Sequence, residues 1–136
     1  MTQALRRRLL FVFVIGCAGT GAELLLTSHT GDFWQKTPIA LLAAGIPVAA
    51  LAAFSRAPWP RTMLQVLSVL FMLAGMLGTF FHYESNSEFA RELTPGLSGW
   101  ALLSESMTRP TPPPLAPGTM IVLGLLGVVA AGKGEQ

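Results

Sequence analysis

Leu9 to Leu26 is an apolar run of 18 residues, interrupted only by Thr20 and Glu23. A helix over it rises about 27 Å at 1.5 Å per residue, most of the ~30 Å hydrocarbon core of a bilayer. Three further apolar runs follow: Pro38–Phe54, Met63–Phe81 and Pro117–Ala131. Four such runs in one short chain leave little choice of fold. Only 12% of the residues are charged, against roughly a quarter in soluble domains, so lipid is the expected solvent. The expectation is an all-α, single-domain integral membrane bundle over residues 1–136. It has four spans near 9–26, 38–54, 63–81 and 117–131 and an outer loop over 82–116.

The N-terminus resembles a secretion signal, with Arg6-Arg7-Arg8 before an apolar stretch and Val14-Ile15-Gly16-Cys17 resembling a lipobox. The apolar run continues past Cys17 to Leu26, which favours an uncleaved first span. Cys17 is the only cysteine, so no internal disulfide forms.

Basic residues orient the chain. Arg6, Arg7 and Arg8 precede span one, and Arg56 and Arg61 lie between spans two and three with no acid nearby. The 82–116 loop holds four acids, Glu84, Glu88, Glu92 and Glu105, with Arg91 and Arg109. The positive-inside rule then places both termini in the cytoplasm and the long loop outside, in a bacterial inner membrane. The net charge of +2 is spread thinly, which argues against a nucleic-acid partner.

Small residues mark packing faces. Cys17 with Gly21, and Ala74 with Gly78, have the spacing that lets helices approach closely. Pro47 is expected to kink span two. Leu97 to Thr108 reads as a short interfacial helix, with Trp100, Leu103 and Met107 on one face. Thr111-Pro112-Pro113-Pro114 reads as a stiff connector.

The chemistry-bearing residues gather near the outer boundary. Glu23 is the one ionisable residue well inside a span, and such a residue needs a partner. Thr79 or His82 at a similar height supplies one, so a Glu23–His82 pair is expected. His82, Asn86 and Phe89 share one helical face, and Glu84, Glu88 and Glu92 share another. A metal at the outer face would draw on His29, His82, Glu84 and Glu88, with calcium suiting the carboxylates and zinc the imidazoles. Neither a calcium-loop signature nor zinc-finger spacing is present. The chain has no catalytic triad order, phosphate loop or CxxC, so an enzyme is not expected.

Glu23-Leu24-Leu25-Leu26, His29, Trp34-Gln35, His82-Tyr83 and Leu115-Ala116-Pro117-Gly118 together resemble a group of small four-span bacterial membrane proteins of unassigned activity. The resemblance implies the architecture and the outer-face cluster and nothing about activity. The expected function is an accessory subunit of a larger integral-membrane complex, respiratory or photosynthetic. Its partners would be other membrane subunits and the bilayer, with room for a bound lipid or pigment and no resident cofactor. The alternatives are a small transporter or ion-handling protein using Glu23 and His82, and a metal-binding protein of the periplasmic face.

Overall fold

The computed structural model describes residues 1–108 and 115–132, which form five α-helices. They are α1 (Gln3–Leu26), α2 (Phe33–Phe54), α3 (Trp59–Leu93), α4 (Gly99–Thr108) and α5 (Leu115–Ala131). The first three are long and apolar enough to cross a membrane; α5, with 17 residues, is shorter. Exposed apolar side chains such as Phe11, Val66, Met76 and Val122 surround the bundle. So large an apolar exterior suits lipid rather than water.

α1 and α2 start earlier than their apolar runs because polar residues cap them. Thr2 accepts from Leu5 N and starts α1 six residues before Leu9. The Asp32 Oδ1 accepts from Gln35 N at 2.8 Å and starts α2 at Phe33. The gap between the spans expected at 9–26 and 38–54 is therefore shorter, and Pro38 and Pro47 both lie within α2. Each proline removes one backbone donor, a loss a helix packed on its neighbours can absorb. The Thr111–Pro114 connector lies outside the described residues.

Four helices close into a ring: α1 packs on α2, α2 on α3, α3 on α5, and α5 on α1. They meet at Phe13 and Phe71, whose rings stack with centroids 5.6 Å apart. Around this pair small residues make room. A Cβ on Gly45 would lie 3.1 Å from Cys17 Sγ and 3.1 Å from Phe71 Cζ, and one on Gly127 would lie 3.1 Å from Phe13 Cε2. Cys17 thus packs against α2, and Gly21 follows it one turn on, facing Leu42. The most extensive pairing is α3 with α5, which run antiparallel. Gly78 sits under Pro117, but the closest approach uses Gly75, Gly124 and Gly127, with Ala74 one residue aside.

Beyond the bundle, α3 continues to Leu93 and α4 folds back against it. Asn86 Nδ2 donates to Ser106 O at 2.9 Å in a buried contact. α4 buries Leu102 and Ser106 and leaves Trp100, Leu103 and Met107 exposed. That is the face expected at the interface. It borders a shallow apolar groove of about 630 Å³ with Met76 and Phe80.

Candidate functional site

α1 ends in a reversal that the sequence alone does not announce. Ser28 adopts φ 56°. Its N–H donates to Leu25 O, and His29 N–H donates to Leu24 O at 2.9 Å. This is a Schellman motif with serine where glycine is usual. It turns the chain back over the helix end and fixes His29 above Leu24, an inward-facing residue.

On α3, His82 lies one turn beyond Gly78, at the outer end of the α3–α5 contact. The two imidazoles meet across the gap, with centroids 6.3 Å apart and planes tilted by 32°. Beside them Trp34 lies 5.7 Å from the Phe81 ring, joining the start of α2 to α3. Below these groups opens a cavity of about 840 Å³. Its body is apolar: Leu24 from α1, Pro38 and Leu41 from α2, Leu73 and Leu77 from α3, Met120 from α5. Its mouth carries His29, Asp32, Gln35, Thr37, His82 and Ser85.

Several mouth groups are already engaged. Asp32 caps α2, Gln35 Oε1 accepts from Gly31 N at 2.9 Å, and Thr37 Oγ1 donates to Phe33 O. Among the described residues the two imidazoles and the Ser85 hydroxyl form no hydrogen bond to protein. They are the groups the mouth can offer to another molecule.

The other expected site residues are placed differently. Glu23 is exposed on the outer face of α1 and forms no hydrogen bond with His82, whose ring neighbour is His29. Thr79 Oγ1 donates to Gly75 O within its own helix. Glu84 and Glu88 are exposed and do not line the cavity. Among the described residues no three of His, Cys, Asp and Glu converge as metal ligands. Of the four expected ligands, only His29 and His82 come together. Asn86, expected beside His82, is buried against α4. The cavity has no counterpart among the sequence expectations; its signal lies in the inward register of Leu24 and Met120 combined with Pro38 and Pro117 near the starts of α2 and α5.

Comparisons with protein-family models, with curated proteins and with solved structures return no match.

Proposed function

We propose that this protein crosses a bacterial inner membrane with α1, α2, α3 and α5, and holds one amphipathic, lipophilic molecule in the cavity beneath His29 and His82. The observation that carries this reading is the pairing of an apolar chamber of about 840 Å³ with a mouth bearing two unengaged imidazoles. Ligand sites are typically ~300–1,000 Å³, mostly apolar, with a few convergent polar groups. The polar end of the occupant meets two imidazoles and a hydroxyl, which suit carbonyl or hydroxyl oxygens. The Asp32 carboxylate on the same rim disfavours an anionic head. In this reading the protein binds and presents its ligand and performs no covalent chemistry. The arginines at the far end favour a topology with both termini in the cytoplasm, and in this reading α5 serves as a short fourth span.

Extraction in mild detergent, followed by organic-phase mass analysis, tests the proposal. One lipophilic species is expected at a constant ratio to protein. Leu73→Trp, at a half-exposed lining position, should displace it while leaving helicity intact. His82→Ala should weaken its retention. Only bulk lipids, in amounts that Leu73→Trp leaves unchanged, would refute the reading.

A second reading, an accessory subunit of a larger membrane complex, is favoured by the outer face of α1. There Ala18, Gly19, Ala22 and Glu23 are exposed, and a Cβ on Gly19 would meet nothing within 4 Å. A neighbouring helix with a donor for Glu23 would fit that face. Chains that co-purify with the wild type and are lost with Glu23→Leu would support it. Purification as a lone chain under the same conditions would count against it.

A further inference from the structure

The two imidazoles at the cavity mouth stand at a separation that decides what can lie between them. Their ring centres are 6.3 Å apart and their planes are tilted by 32°. At that distance the nearest ring nitrogens stay about 4 Å apart even when they point straight at each other, beyond hydrogen-bond reach. A tetrahedral zinc ion, with bonds of about 2.0–2.1 Å, would draw two imidazole centres to about 5 Å. Among the described residues no further His, Cys, Asp or Glu completes a metal site with them. Two N–H groups that meet on one oxygen, each at about 2.8–3.0 Å, put the ring centres about 6–7 Å apart. The observed gap is therefore the width of one shared acceptor atom.

The two rings come from separate elements. The backbone N–H of His29 donates to Leu24 O at 2.9 Å, and His82 stands on α3 one turn beyond Gly78, which packs on Pro117 of α5. Leu24, Leu73, Leu77 and Met120 line the chamber beneath the gap. An occupant can bury an apolar body there and offer a polar atom to both rings.

We propose, resting on the cavity reading above, that the occupant carries an uncharged carbonyl head whose single oxygen is shared by the His29 and His82 rings. A carbonyl oxygen has two lone pairs and no hydrogen, so it takes an N–H from each ring and leaves nothing unpaired. A hydroxyl brings a hydrogen of its own, while Asp32 Oδ1 and Gln35 Oε1 on the rim already accept backbone N–H groups. A carboxylate head meets the like charge of Asp32. Water can bridge the rings when no ligand is bound, and a carbonyl replaces it without losing either bond. An apolar chain end cannot.

The full chain, freed of co-extracted lipid by detergent exchange, is titrated with a long-chain methyl ketone and with the alkane, alcohol and carboxylic acid of equal chain length. Native mass spectrometry reads the affinities. The ketone should bind roughly tenfold more tightly than the alkane, the effect of two hydrogen bonds between neutral groups. It should also bind more tightly than the alcohol or the acid. His29→Phe and His82→Phe should each reduce the ketone-to-alkane ratio to about threefold, since one ring remains. His82→Gln keeps an N–H donor and should preserve more of the ratio than His82→Phe. A variant that only distorts the cavity would weaken ketone and alkane alike and leave the ratio unchanged. In the wild type the infrared C=O stretch of the bound ketone should fall below its value in detergent, a measurement that needs no variant to fold. The proposal is overturned by a ratio near one in the wild type, by tighter binding of the alcohol or the acid, or by an unshifted C=O stretch. Stabilisation by zinc alone that exceeds that by the ketone, and is lost in both phenylalanine variants, would also overturn it. A ratio near one leaves the cavity reading standing, whereas failure of all four probes to bind overturns both.

Discussion

Replacing Gly124 by alanine should loosen the bundle at its tightest seam. A Cβ there would lie 2.6 Å from Ser68 O and 3.1 Å from Met72 N, both backbone atoms of α3. Ordinary contact needs roughly 3.5 Å, so α5 must move away by about 0.9 Å or tilt. Neither neighbour can swing aside as the end of a side chain could. The movement would also lift Leu123 from Gly16 and Gly127 from Phe13. Overpacking of this kind costs about 1–3 kcal/mol. Alanine recovers about 1 kcal/mol through its better helix propensity, leaving a net loss of up to about 2 kcal/mol.

Gly19 is the internal control, since a Cβ there meets nothing within 4 Å. Gly19→Ala should be neutral or stabilising by up to about 1 kcal/mol. Reversible unfolding in mixed micelles, followed by circular dichroism, measures both. Equal stabilities for the two variants would refute the argument that backbone contact between α3 and α5 sets the packing.

Two further outcomes follow from the loops. Ser28→Gly relieves a residue held at φ 56° and should stabilise the protein by about 1 kcal/mol in the same unfolding assay. Asn86→Ala removes the buried bond to Ser106 O and should cost about 1–3 kcal/mol. Faster amide exchange over Gly99–Thr108, with exchange in α1 and α2 unchanged, would show that the loss is local to α4.

Much of the helical layout is legible in the sequence, because apolar runs and proline-rich breaks are one-dimensional signals. The caps extend those runs. Thr2 and Asp32 add turns that hydropathy alone cannot see, since the added stretches carry Arg6, Arg7 and Arg8 in α1 and Gln35, Lys36 and Thr37 in α2. Helix partners are harder to read. Ala74 and Gly78 have the recognised spacing, yet the closest contacts fall at Gly75, Gly124 and Gly127. Small-residue spacing marks a face that can be approached and does not say which helix approaches it.

The candidate site shows the same difficulty in a form that a register argument resolves. The buried positions of α1 are Arg6, Leu10, Phe13, Cys17, Thr20 and Leu24, an unbroken ladder at intervals of three and four. Glu23 stands one residue, about 100°, off that ladder, so height along the helix is a poor guide to its partner. The ladder has a continuation, because the Schellman turn at Ser28 ties His29 back to Leu24 through a 2.9 Å hydrogen bond. The residue that α1 presents to His82 is therefore His29, which hydropathy assigns to a loop. A charged residue within a span draws attention because it is costly there. The face it occupies decides what it can reach, and on α1 that face points away from the cavity.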